Sequence, residues 1–382
     1  MSDELRPFQI EISDGELDDL RRRLGATRWP EPATVDDWSQ GLPLAYAREL
    51  CEYWASTYDW RSRQSSLNRH PQFLTEIDGL EIHFLHQRSP DAKAIPLLLS
   101  HGWPGSVVEF DKVIGPLSDP ASHGSAGSPA FHVVCPSLPG YGFSGKPTTT
   151  GWGVPRIADA WATLMARLGY DAYVAQGGDW GAGVTTALGR RDPAHLLGIH
   201  LNMPVVPPSA FILEDLTPSE QRALDDLGRY QRDESGYSKQ QSTRPQTLGY
   251  GLTDSPVGQM AWIVEKFYAW TDCDGHPESV LSKDEMLDNV MYYWLSRSAA
   301  SSGRLYWESF DSMIDEADGP VKVPTGCSIY PKEIIRISKR WAEGGFSDLR
   351  YWNELDRGGH FAAFEQPDCF VDELRSFVLT LA

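Results

Sequence analysis

Beginning at Ile95 the sequence alternates strand-like and helix-like segments, and this alternation limits the fold more than any other feature. The run "IPLLLS" is apolar without interruption, as suits a parallel strand buried on both faces. "FHVVCPSL", "YDAYVAQ" and "LLGIHLNM" repeat that character, with the helix-like "IADAWATLMARLG" and "GVTTALGRR" between them. Such alternation predicts a doubly wound, mostly parallel sheet. The pattern stops near Pro207-Pro208 and resumes after Pro320 with "VPTGCSIY", "LRYWNEL" and a last helix, "CFVDELRSFVLTL". The block between is helical and aromatic, as in "QMAWIVEKFYAW" and "NVMYYWLSR", with no buried-strand run. A helical block inserted into an α/β core is expected to form a lid over the carboxyl ends of the strands, where open α/β sheets place their sites.

Ahead of the core, Ser13 and Glu16 form a predicted capping box for a helix carrying Leu17, Leu20 and Leu24 at helical spacing. "FLTEIDGLEIHFLHQR" reads as two strands turning at Asp78-Gly79. The expected organisation is an N-terminal extension over 1–90 packing on core and lid, a first core part over 91–207, a helical lid over 208–319 and a second core part over 320–382.

The 382 residues are 41% hydrophobic and 11% aromatic, enough for a large core. A formal net charge of −19 argues against a nucleic-acid partner, because phosphate binding needs a basic face. No segment resembles a signal peptide or a membrane span. The five cysteines are scattered and lack CxxC spacing, which fits reduced thiols in a cytoplasmic protein. No metal site is expected: His83 and His86 sit along a hairpin strand with no further ligand motif beside them.

Three signals fall at strand ends in one order. "LLLSHGWPGS" leaves a strand into a tight turn that can supply the Trp103 N–H to an oxyanion hole. "QGGDWGAG" has the G-x-S-x-G frame of the α/β-hydrolase nucleophile elbow, with Asp179 in the serine position and the Trp180 N–H as the second oxyanion donor. An aspartate beside glycines is by itself a turn former. The strand before it and the helix after it supply the context that the elbow requires. Last, "LDRGGHFAAFEQP" places His360 where the hydrolase order of nucleophile, acid and histidine ends. Glu333 in "SIYPKE", just past a strand, is the chosen acid; Asp348 and Asp356 are rivals less well placed. The predicted class is therefore an α/β-hydrolase fold with an inserted helical lid and an N-terminal extension.

An aspartate in the elbow changes the chemistry. Serine attack on a saturated carbon would form an ether that water does not readily cleave. Carboxylate attack forms an ester, whose carbonyl stays open to water activated by His360. An epoxide oxygen leaves as a basic alkoxide, so a proton donor is needed, and a tyrosine of ordinary pKa near about 10 is protonated at neutral pH. Tyr237 and Tyr306, both in the lid block, are the candidates. A haloalkane-type dehalogenase with the same nucleophile, and a non-catalytic binding protein of the same fold, are the alternatives. The tyrosines favour the epoxide.

The chain resembles the microsomal-type epoxide hydrolases over essentially its whole length. The resemblance is carried by "DGLEIHFLHQR", "HGWPGS", "GGDWG", "TDSPVGQMAWIVEKF", "YPKE" and "GGHFAAFEQP". It implies a cofactor-independent enzyme in which Asp179 is the nucleophile, Glu333 the acid, His360 the base, and Tyr237 and Tyr306 the ring-opening donors. The aromatic lid block suits an apolar substrate, so a small apolar or aromatic epoxide and water are the expected reactants. Membrane-bound relatives carry an apolar N-terminal anchor, and with none in this sequence a soluble bacterial member is expected. The resemblance admits a role in secondary metabolism and leaves a homodimer open.

Overall fold

The computed structural model describes residues 4–310 and 319–382. Among them nine strands form one sheet. In chain order these are β1 (Arg6–Phe8), β2 (Gln72–Ile77), β3 (Leu80–Gln87), β4 (Ile95–Ser100), β5 (Phe131–Pro136), β6 (Tyr173–Gly177), β7 (Leu196–Leu201), β8 (Thr325–Ile329) and β9 (Leu349–Glu354). Their order across the sheet is β1-β2-β3-β5-β4-β6-β7-β8-β9. The first three strands pair antiparallel, and every pairing from β5 to β9 is parallel. The fold is thus the α/β-hydrolase fold that the alternation predicts.

The apolar run that opens the alternation is β4, paired on both edges, with Leu97, Leu98 and Leu99 fully buried. The hairpin forms at the expected dipeptide: Ile77 faces Leu80, and Asp78 and Gly79 both take positive φ. The first helix, Asp14–Gly25, buries Leu17, Leu20 and Leu24, but its capping box is only half made. Ser13 Oγ accepts the Glu16 N–H at 3.3 Å, while the Glu16 carboxylate pairs with Arg297 at 3.2 Å instead of returning to the cap. An ion pair to a distant helix has displaced the local bond.

Between β7 and β8 the regular elements are all helical among the described residues, the longest being Pro256–Trp270 and Lys283–Ser296. The N-terminal segment grips these two. Helices Asp14–Gly25 and Leu44–Ser56 pack on Pro256–Trp270. Arg63 and the Tyr58 hydroxyl (2.7 Å) both bond the buried Asp288 carboxylate. Burial pushes that carboxyl up to about 6 despite its arginine. No helix among the described residues is long and apolar enough to cross a membrane.

His83 and His86 are satisfied within the fold: His83 bonds Ser137 and Gln72, and His86 bonds the Tyr170 hydroxyl. Four of the five cysteines are buried, Cys369 is partly exposed, and all are free thiols.

Candidate active site

The strand order reverses around β4, so the carboxyl ends of β4 and β6 open onto a topological switch point. Ser100 of β4 lies in register with Gly177 of β6, which brings the turn after one strand against the turn after the other. Asp179 sits on the second turn with φ 50° and ψ −128°, a conformation that L-residues rarely adopt, immediately before helix Trp180–Arg191. The flanking glycines make this geometry sterically feasible. A Cβ on Gly177 would lie 2.1 Å from the Gly181 carbonyl oxygen, and one on Gly181 would lie 1.9 Å from that of Ser100. Gly102 is equally confined, since its Cβ would meet Asp179 Oδ1 at 2.2 Å.

That close approach lets the Trp103 N–H donate to Asp179 Oδ1 at 2.8 Å. The Trp180 N–H, first in its helix, makes no such bond and is one of the free donors that every helix start presents. The structure therefore places one of the two expected oxyanion donors directly on the carboxylate and the other beside it.

The parallel register of β8 and β9, with Ile329 opposite Glu354, continues beyond the strands as a bridge between Lys332 and Gly359. Glu333 and His360 are thereby neighbours. His360 Nδ1 lies 2.6 Å from Glu333 Oε1, and its Nε2 lies 3.4 Å from Asp179 Oδ2. Burial opposes charging the imidazole. The Glu333 and Asp179 carboxylates on either side outweigh burial and hold its pKa well above the usual histidine value. The rivals lie elsewhere: Asp348 pairs with Arg350 on the surface, and Asp356 is exposed.

Both tyrosines come down from the lid onto the two tryptophans. The Tyr237 ring stacks on Trp103 at 4.9 Å, and Tyr306 meets Trp180 edge-on at 4.8 Å. Their own rings are 5.8 Å apart. The Tyr237 hydroxyl bonds that of Tyr230 at 2.8 Å. Burial raises both phenols well above the ordinary tyrosine value, and the charge of Asp179 adds to it, so both carry their protons. The structure brings together all seven residues singled out from the sequence.

Other participants lie outside any motif reading. Asn289 and Tyr293, on helix Lys283–Ser296, hold the turn that carries the Trp103 N–H. Asn289 Nδ2 donates to the Pro104 carbonyl at 2.7 Å and its Oδ1 accepts from Ser106 Oγ at 2.8 Å, while the Tyr293 hydroxyl donates to the Gly105 carbonyl at 2.7 Å. Glu109 is buried, and burial pushes its carboxyl up to about 8. With Asp179, His360, Gln176 and Asn202 it lines a pocket of about 20 Å³, room for a single water. The one sequence signal for Glu109 is an acid inside the apolar run "SVVEF".

A parallel sheet, an acidic elbow and a histidine–carboxylate pair at the strand ends define an α/β-hydrolase. Comparison with known proteins narrows the class. Residues 5–110 match the family model "Epoxide hydrolase N terminus", and 95–239 match the alpha/beta hydrolase fold. A Stigmatella aurantiaca protein named "Putative epoxide hydrolase" is 58% identical, covering 97% of this chain and 84% of the relative. Epoxide hydrolase 1 of Sus scrofa is 37% identical, covering 98% of this chain and 88% of that one. The crystal structure of juvenile hormone epoxide hydrolase from the silkworm Bombyx mori superposes with a TM-score of 0.92 at 33% identity, covering 99% of this chain and 95% of that one. The chain belongs to the epoxide hydrolase family and is an enzyme, a hydrolase.

Proposed function

We propose that this enzyme opens an epoxide to a vicinal diol through a covalent ester on Asp179. The observation that carries this reading is the double hold on one carboxylate, with Trp103 N–H on Oδ1 at 2.8 Å and His360 beyond Oδ2 at 3.4 Å. Oδ1 is already in a donor's grip, so Oδ2 is the oxygen free to attack.

In the first step Oδ2 forms a bond to an epoxide carbon as the carbon–oxygen bond of the ring breaks. Tyr237 and Tyr306 hydrogen-bond the departing oxygen, and one of them transfers its proton to it and is left as a phenolate. A halide would need no such proton, so a buried phenol pair favours the epoxide over the dehalogenase reading. Esterification removes the negative charge of Asp179. One of the two carboxylates that hold His360 protonated is thereby lost, so the imidazolium gives its proton to the phenolate and the neutral imidazole can act as a base.

In the second step His360 takes a proton from a water in the pocket of about 20 Å³, and the resulting hydroxide adds to the ester carbonyl. Charge develops on the oxygen facing the Trp103 N–H, with the Trp180 N–H as the second donor. Glu333 holds the imidazolium through Nδ1. Collapse breaks the bond to the alcohol and regenerates the Asp179 carboxylate, whose spare proton goes to the departing alkoxide. His360 keeps the proton taken from water and is again the imidazolium with which the cycle began. The sum is one epoxide and one water to one diol, without metal or cofactor.

In this reading 208–319 is the lid, 91–207 and 320–382 are the two parts of the core, and 1–90 is an extension that braces both. The substrate is a small apolar or aromatic epoxide received among Trp103, Trp180 and the lid aromatics, and the enzyme works in the cytoplasm. A place in secondary metabolism rests on the resemblance alone. Asp179→Asn tests the proposal: mixed in excess with an epoxide, the variant is expected to form no ester, whereas normal single-turnover alkylation would overturn the nucleophile assignment.

A further inference from the structure

Lys266 is an ammonium in an unexpected place. It lies on helix Pro256–Trp270 with only 6% of its surface exposed, a degree of burial that lysine rarely reaches. Its Nζ sits 4.9 Å from the ring centroid of Tyr237 and 5.3 Å from that of Trp270, over both rings. Its ionic partner is the adjacent Glu265, at 2.5 Å, whose side chain is the more exposed of the two at 26%. Water therefore screens the carboxylate better than it screens the ammonium, and the field of the cation reaches the rings. Packing alone would be served by an apolar side chain here, without the cost of desolvating a charge.

We propose that Lys266 is an electrostatic positioning residue for ring opening: its ammonium, over the faces of Tyr237 and Trp270, stabilises the negative charge that Tyr237 acquires as it protonates the epoxide oxygen. This rests on the reading of Tyr237 as a proton donor. In that step the Tyr237 O–H bond breaks as the O–H bond of the new alcohol forms, and the phenolate persists until His360 gives up its proton to it. Burial, Tyr230 and Asp179 all disfavour that phenolate. A buried cation at a ring face opposes them, because attraction to the π face strengthens as the ring gains negative charge. Lys266 touches neither substrate nor nucleophile; it acts through Tyr237.

The test separates the two chemical steps by rapid quench and intact-protein mass. Lys266→Met is expected to slow ester formation about tenfold and leave ester hydrolysis unchanged, and Lys266→Arg is expected to restore ester formation to within about twofold. In a Tyr237→Phe background, Lys266→Met should add no further loss. Lys266→Gln carries the same expectations should the methionine variant fail to fold. Unchanged ester formation in the neutral variant overturns the proposal, as does an equal loss with and without the Tyr237 hydroxyl. A Tyr237→Phe enzyme that alkylates at the unchanged rate instead removes the donor reading beneath it. A slow Tyr237→Phe with a fast Lys266→Met removes the lysine's role alone.

Discussion

His360 Nε2 lies 3.4 Å from Asp179 Oδ2, on the imidazole edge that its bond to Glu333 leaves free. The distance is longer than a hydrogen bond in good geometry, and it suits a base that must reach a water beside the carboxylate rather than the carboxylate itself. His360→Gln should therefore form the ester and fail to hydrolyse it. The intact protein mass should rise by the mass of the epoxide and stay raised; continued turnover would mean that another group is the base.

Tyr306 presses edge-on against Trp180, one residue from Asp179. If its hydroxyl serves the leaving oxygen, Tyr306→Phe should slow ester formation from an epoxide by about 10² or more. The same variant should hardly change the rate with an alkyl halide, which needs no proton. Equal losses with both substrates would reduce Tyr306 to a packing residue.

Glu109 gives a pH prediction whose sign follows from its burial. Burial pushes its carboxyl up to about 8 in the fold, from an ordinary value of 4.5, so the folded state holds the proton more tightly than the unfolded chain does. The stabilising contribution is present below about pH 4.5 and is lost as pH rises toward 8. Glu109→Gln, which cannot ionise, should therefore gain on the parent by about 2 to 4 kcal/mol between pH 5 and pH 8. Urea unfolding of both proteins at the two pH values measures this, and a constant difference would refute it.

What the sequence discloses and what it hides follow physical lines. β4 was legible because a strand buried on both faces must be apolar throughout, and Asp179 because its turn demands Gly177 and Gly181 within five residues. His360 and Glu333 are marked by chain order. Asn289 and Tyr293 were not legible, because their bonds to the 104–106 turn span more than 180 positions and nothing local marks them. Lys266 was hidden for a similar reason: within "WIVEKFYAW" it reads as one polar position of a helix, and only the packed lid reveals the rings beneath it. Glu16 shows the converse, a local rule overruled by a distant arginine.

The most direct measurement of the central claim is a single turnover in oxygen-18 water with enzyme in excess over epoxide. If Asp179 Oδ2 is the attacking atom, the diol from that first turnover carries no heavy oxygen and the label appears in the peptide containing Asp179. Heavy oxygen in the first-turnover diol would mean that water attacks the epoxide directly, and would contradict the account.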